Sequence, residues 1–408
     1  MDKLLCLLEK YRCHLNRGNK SSVDFLRDNY SEYISDVKAA LSPEDNQLVG
    51  AEMCKMVSEQ IDTIEKNASL LIEVLELYNK GRIVPASQKA FEVFENMKPQ
   101  LMQRYSGAYR QEAYFRIRSV NDSNPFTLNR KELFHIPFNK NYLVGTERYS
   151  MPGHPCLYLA SQAELCWYEC GKPEKFALSR FDIPQSENKY MKFIDFSEKL
   201  MPLMHSFFCW FHNGEDVEQV RKYLLKYICT YPLRAACSIV VEHPEGRFIE
   251  EYIIPQLLLQ WVLNDRDFDG IRYESCNSSD EVKCLGGHNL VLVTNNFDKD
   301  GYDINLRSNI KVGEPAIFDI NTIIINPNLN DCLMGRDIKK DPFLWGLENA
   351  PNNFEKIKGL DFVYLCAERI GVEDVYKQNL EKEYRIGIHG EYAFDYLSKE
   401  RMNSIAEQ

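Results

Sequence analysis

The apolar residues of this chain change their period once, and that change limits what the chain can fold into. Up to Gly107 they recur every three or four positions, the spacing of one helix face. Leu4, Leu8 and Tyr11 open the series, and Phe25, Tyr30, Tyr33, Ile34, Val37 and Leu41 continue it. Ser42-Pro43-Glu44-Asp45 has the form of a helix start, a capping serine before a first-turn proline. Met53, Val57, Ile61, Ile64, Leu71, Val74 and Tyr78 then lead to Lys80-Gly81, a helix stop. Phe91, Phe94, Met97, Leu101 and Tyr105 mark a last helix ending near Gly107. The pattern predicts an all-α N-terminal domain over 1–108 with about four helices.

Beyond Gly107 short β-type runs alternate with turns and helices. They cover Tyr114 to Val120, Leu157 to Ala160, Phe193 to Phe196, Ser238 to Glu242, Gly270 to Glu274 and Asn289 to Thr294. The last is almost wholly apolar, as in a strand buried on both faces. A helix from Tyr252 to Leu263 is apolar nearly all round and is expected to be buried. These runs predict an α+β core over 109–300. A C-terminal extension, 301–408, is expected to pack on that core, with a strand at Thr322 to Ile325 and a helix around Asp361 to Ile370.

Composition narrows the chemistry. A chain of 408 residues suggests two or three domains. A net charge of −11 opposes broad phosphate-backbone binding, so nucleic acid is not an expected partner, while a local pocket for one diphosphate remains compatible. The opening MDKLLCLLEK is too short and too acidic for a secretory signal, and no apolar run is long enough to span a membrane. A cytoplasmic location without membrane contact is the expectation. The 13 cysteines are odd in number and scattered, which predicts reduced, mostly buried thiols. Cys166 with Cys170, and Cys276 with Cys284 and His288, lack the paired short spacing of a zinc site, so no metal is expected.

The usual nucleotide cradles are missing: no Gly-x-Gly-x-x-Gly follows a strand, and there is no Walker-type loop, His-Glu-x-x-His or Gly-x-Ser-x-Gly elbow. Four segments remain. In Ala113-Tyr114-Phe115-Arg116-Ile117-Arg118 the two arginines share one face of a strand. They are either solvated charges or a fork for a phosphate or carboxylate. Glu147 to Tyr158 carries Arg148 and Tyr149 into a Pro/Gly turn that feeds a strand, a common placement for functional loops; Tyr158 alone reads more readily as a half-buried strand aromatic. Ser161 to Cys170 reads as a helix capped by Ser161, with Glu164 at capping-box spacing. On it Ala163, Cys166, Trp167 and Cys170 share a face, and Glu169 lies on the flank of that face or in plain solvent. In Phe268 to Cys276 a turn enters a strand that ends at Ser275. No neighbouring residue would activate that serine as a nucleophile, so hydrogen bonding is its natural role.

In this order the four segments resemble the RES domain family, toxin halves of bacterial toxin–antitoxin pairs that also occur in longer fusions. Phe115-Arg116-Ile117-Arg118 is similar to the family's first arginine motif, and Arg148 to Tyr158 to its arginine–aromatic–Pro-Gly–Leu-Tyr turn. Leu165 to Glu169 resembles its glutamate helix, with Cys166 in the small-residue place. Gly270-Ile271-Arg272-Tyr273-Glu274-Ser275 resembles its Gly-Ile-x-Tyr-x-Ser strand, and Asn289 to Val293 the apolar strand that follows. The resemblance covers about Tyr109 to Asn296. It implies an ADP-ribosyltransferase-like split, curved β-sheet with flanking helices, and NAD as substrate with no permanently bound cofactor.

The implied reaction breaks the nicotinamide–ribose bond by hydrolysis or phosphorolysis, or moves ADP-ribose to a protein. Bond breaking passes through an oxocarbenium-like state, which a fixed carboxylate stabilises. The resemblance assigns that role to Glu169, with Arg148 and Arg116 as the other catalytic candidates on the diphosphate. Tyr158 would stack on nicotinamide, while Ser275, Arg118 and Tyr149 would complete substrate binding. Arg118 rivals Arg116, and Glu164 rivals Glu169. The partners this allows are NAD, a cognate antitoxin or regulatory protein, and a second copy of the chain. An inactive binding module is the remaining alternative. Helical domains fused to such cores sometimes resemble HEPN ribonucleases, but His14 follows Arg12 by only two positions, outside the Arg-x(4–6)-His spacing, so no RNA cleavage is expected.

Overall fold

The computed structural model describes residues 2–12, 14–102, 112–121, 129–183, 190–197, 217–276, 287–313 and 315–319. The expected elements at Thr322 to Ile325 and Asp361 to Ile370, and Cys284, lie outside these residues. The fold is α+β, with a helical N-terminal region followed by mixed β structure and flanking helices. Two compact units interleave along the chain: 1–108 with 145–152 and 192–278, and 109–144 with 153–191 and 279–408.

The first unit is helical at its centre. It holds α1 (Lys3–Lys10), α2 (Ser22–Ala39), α3 (Gly50–Ser58), α4 (Ile61–Asn79) and α5 (Ile83–Leu101). The long run from Met53 to Tyr78 is therefore two helices, broken at Glu59-Gln60. Ser42 makes no side-chain cap, and Pro43–Asp45 is a single 3-10 turn. Between α4 and α5 Gly81 takes φ +72°, and the Gly81 and Arg82 amides close on the carbonyls of Tyr78 and Leu77, a helix stop that favours glycine.

Two later helices complete this core: α7 (Val217–Cys237) and α8 (Ile253–Asp265). Helix α8 buries Ile253, Leu257, Leu258, Trp261 and Val262, so its all-round apolar surface is covered; Trp261 lies 5.8 Å from Phe94 of α5 and donates to Glu95 at 2.8 Å. Helix α7 carries Pro232, which has no N–H for the carbonyl of Ile228. The Tyr33 hydroxyl of α2 donates to that carbonyl at 2.7 Å instead, and Tyr30 donates to the Pro232 carbonyl at 2.6 Å. A strand pair belongs here as well. β4 (Phe193–Phe196) and β5 (Gly270–Glu274) run parallel, Phe193 opposite Gly270 and Phe196 opposite Tyr273. The run expected at Ser238 to Glu242 forms only a single bridge, Ile239 to Leu15.

The second unit is built on antiparallel strands. β1 (Glu112–Ser119) pairs along its whole length with β3 (Lys175–Ile183), from Glu112 opposite Ile183 to Ser119 opposite Phe176. On its other side Phe115 faces Ala160 of β2 (Leu157–Ala160). β2 pairs with β6 (His288–Leu292), which buries Leu290, Val291 and Leu292 as its apolar run predicts. β3 is flanked by β8 (Ala316–Asp319) along Lys175 to Leu178 and by β7 (Lys311–Val312) at Phe181 and Asp182. Two helices pack here, α6 (Ala163–Glu169) against β1 and β2, and the short α9 (Ile304–Asn309).

Candidate functional site

In the second unit β1, β2, β6 and α6 bring three of the expected residues into one neighbourhood. Arg116 sits in mid-strand on β1, opposite Ser179. Its Nη1 donates to the backbone carbonyl of Tyr158 on β2 at 3.2 Å, so these two candidates touch. Burial pushes the Arg116 guanidinium down from its ordinary pKa, and the groups that favour its charge are the thiols of Cys170 and Cys166 and the Tyr158 phenol. Among the described residues no carboxylate forms an ion pair with it. Arg118, two positions on, is paired with Glu132. The rivalry between the two arginines thus has a geometric content: one has a carboxylate and one is desolvated without one.

Helix α6 is set by its burial. Ala163 through Tyr168 are all buried, and the indole of Trp167 donates to the Pro173 carbonyl at 2.9 Å. Cys166 donates its thiol to the Phe115 carbonyl at 2.9 Å, which ties the helix to β1 beside Arg116. Ser161 does not cap this helix. Its hydroxyl accepts the His288 amide at 2.8 Å, and Gln162 stands at the N-cap without a side-chain capping bond. Glu164 is buried at 4% exposure, away from the solvent that a capping-box glutamate would face.

Glu169 is the last residue of α6 and is exposed. A carboxylate there meets the carbonyl end of the helix, where negative charge does not help stability. It is held all the same: Asn289 of β6 donates its side-chain amide to Glu169 Oε1 at 3.0 Å. The buried Cys166 thiol senses both charges. Burial pushes its pKa far up, Arg116 pulls it down, and Glu169 adds to the rise. Beside Asn289, His288 Nε2 lies 3.2 Å from the Tyr114 hydroxyl of β1, the rings in edge contact at 5.7 Å. The sequence alone gives Tyr114, His288 and Asn289 no site role. The available signal is a polar pair, His288-Asn289, ahead of the apolar residues of β6.

Arg148, Tyr149 and Ser275 belong to the first unit. Arg148 is buried, and its fork donates to the carbonyls of Cys237 at 3.1 Å and Ile239 at 2.9 Å, with the guanidinium 5.2 Å above the Tyr252 ring. Tyr149 is fully buried against Tyr273, ring centroids 4.5 Å apart, and burial raises its phenol well above the ordinary range. A cavity of about 10 Å³ beside Tyr149, Tyr273, Cys237 and Cys276 has room for one water at most. Ser275 follows β5 and is buried at 5% exposure. Below it Arg272 donates to Asp195 at 2.9 Å; burial alone would raise the Asp195 carboxyl, but Arg272, Lys226 and Ser197 outweigh it and hold it at about 2.

Among the described residues no group of histidines, cysteines and carboxylates is arranged to hold a metal, and no helix is long and apolar enough to cross a membrane. Among the described residues no cysteine forms a disulfide, and burial pushes Cys156 and Cys229 up to about 12, too high for nucleophilic use at neutral pH.

Comparison with known proteins gives a modest anchor. No family model matches the chain, and no solved structure matches it. Over 281 residues the chain is 28% identical to a Bacillus subtilis (strain 168) protein named "Putative toxin YopC". The match takes 66% of this chain and spans 59% of the length of that relative, so the chain is similar to a toxin-named protein over part of both.

Proposed function

We propose that this chain is a toxin that consumes NAD by breaking the nicotinamide–ribose bond, acting where the NAD pool is, in the cytosol. The observation that carries the reading is Arg116, desolvated on β1 with a backbone carbonyl as its hydrogen-bond partner and no carboxylate ion pair among the described residues. A half-buried guanidinium of this kind gains from an anionic ligand, and a diphosphate matches its fork. Glu169 supplies the opposite charge on the same unit, oriented by Asn289. Such a carboxylate stabilises positive charge as it develops on a ribose. Tyr158, whose carbonyl holds Arg116, offers its ring to the nicotinamide. The toxin-named relative supports the biological half of the proposal.

The roles of Arg148, Tyr149 and Ser275 follow from their own unit. Arg148 fastens the chain that leaves α7, and a direct substrate contact would require it to exchange one of its two carbonyl bonds. Ser275 offers a hydrogen bond rather than a nucleophile. The deciding experiment is incubation of the purified full chain with NAD, with and without inorganic phosphate, followed by product separation. ADP-ribose identifies a hydrolase, a phosphorylated ADP-ribose a phosphorylase, and label on protein a transferase. Intact NAD after long incubation with the wild-type chain sinks the proposal and leaves a binding module.

A further inference from the structure

The first unit holds a cavity of about 540 Å³ where the end of α4 meets the loop that precedes α8. That volume suits a small ligand or one long side chain. Its permanent charges are Arg17, Glu250 and Glu251. Glu251 is buried, and its carboxylate accepts from Arg17 Nε at 2.7 Å and from the Glu242 amide at 3.4 Å, so Glu251 and Arg17 cancel. Arg17 spends a further donor on the Lys20 carbonyl. Glu250 is different. Its Oε2 accepts the Ser22 amide at 3.1 Å and its Oε1 the Asn79 side-chain amide at 3.0 Å, both neutral donors. The wall therefore carries one negative charge that its own contacts fix in place without neutralising.

The rest of the lining is Gly81, His243, Ile249 and two aromatic rings. Phe248 is 63% exposed, and Tyr78 is half-buried in the same wall. A ring face and a carboxylate side by side suit a cation with a flat, weakly hydrated body, and a guanidinium meets both demands better than an ammonium does. An anion is opposed by Glu250, and Arg17 is already committed.

We infer that this cavity binds a guanidinium group, paired with Glu250 and stacked on Phe248. The group comes from a free guanidino compound or from an arginine of a bound protein, and the chemistry of capture is the same. It does not depend on the NAD reading, since none of its residues belongs to that site.

Calorimetric titration of the full chain tests it, with agmatine as the free probe, a short peptide holding one internal arginine as the second, and succinate as the anionic control. Agmatine or the peptide binds saturably and succinate does not. Glu250→Gln weakens binding about tenfold, and Phe248→Ala about threefold, in line with a lost ion pair and a lost ring face. Phe248 is exposed, so its variant folds and keeps the test valid even if Glu250→Gln does not. Tighter binding of the peptide identifies a protein source, and tighter binding of agmatine a free one. Absence of heat with both cationic probes, or binding unaltered in both variants, overturns the inference.

Discussion

Asn289 donates its side-chain amide to Glu169 Oε1 at 3.0 Å, and this bond joins the opening of strand β6 to the last residue of helix α6. A flexible, exposed glutamate would otherwise sample many rotamers. The amide restrains it, which is what a carboxylate needs if it is to meet a developing charge. Glu169→Gln is expected to abolish NAD loss in the product assay. Asn289→Ala is expected to lower kcat about ten- to hundredfold with little change in KM, because the carboxylate remains but is no longer aimed. Equal kcat in Asn289→Ala and wild type would show that the bond has no catalytic role.

Arg116 and Arg118 separate by their partners. Arg116→Ala is expected to raise KM for NAD at least about tenfold, since an anion contact is lost from a desolvated setting. Arg118 forms a half-exposed pair with Glu132, so Arg118→Ala should cost about 0.5 kcal/mol of stability and leave turnover intact. Steady-state kinetics and urea unfolding on both variants check the split; the reverse order of KM effects would reassign the anion site to Arg118.

His135 links two segments of the second unit through its neutral form. Its Nδ1 donates to the Ile136 carbonyl at 2.8 Å, and its Nε2 accepts the Asp303 amide at 2.9 Å. Burial lowers its pKa to about 4. The unfolded chain takes up this proton near pH 6.5, so between pH 6.5 and 4 the unfolded state binds more protons than the folded one. The stability this histidine contributes is complete above pH 6.5 and falls as pH drops to 4, by up to about 3 kcal/mol. Urea titrations at pH 7 and pH 5 should show the loss, and His135→Gln should flatten that part of the profile.

Tyr33 answers for a proline. With Pro232 in α7 unable to donate to Ile228, the Tyr33 hydroxyl is the donor that carbonyl has. Tyr33→Phe keeps the ring and removes the bond, leaving a buried carbonyl without it, at a cost of about 1–2 kcal/mol. Pro232→Ala in the same background restores the helical N–H and should recover most of the loss. Additive unfolding energies for the two changes would exclude this coupling.

Gly301 takes φ +87°, and a Cβ built on it would stand 2.8 Å from the Phe138 amide nitrogen. Gly301→Ala is expected to destabilise the second unit by about 1–3 kcal/mol, read as a lower thermal midpoint.

The sequence by itself determined the helical opening, the strands at Leu157–Ala160, Phe193–Phe196 and Gly270–Glu274, and the burial of β6, because period and apolarity are local properties. Through a family resemblance carried by the order of its motifs, it also offered Arg116, Tyr158 and Glu169 as candidates. Period does not tell where a helix breaks between Ser58 and Ile61, nor that Ser161 gives its hydroxyl to the His288 amide instead of to its own helix. It does not show that α7 and α8 pack with α2, α4 and α5, which draws 192–278 into the unit of the first 108 residues. Only the tertiary structure decided which arginine has a carboxylate and which residue holds Glu169. Those outcomes depend on Glu132 and Asn289, residues 14 and 120 positions away from their partners, and such distances are closed by packing rather than by any pattern in the chain.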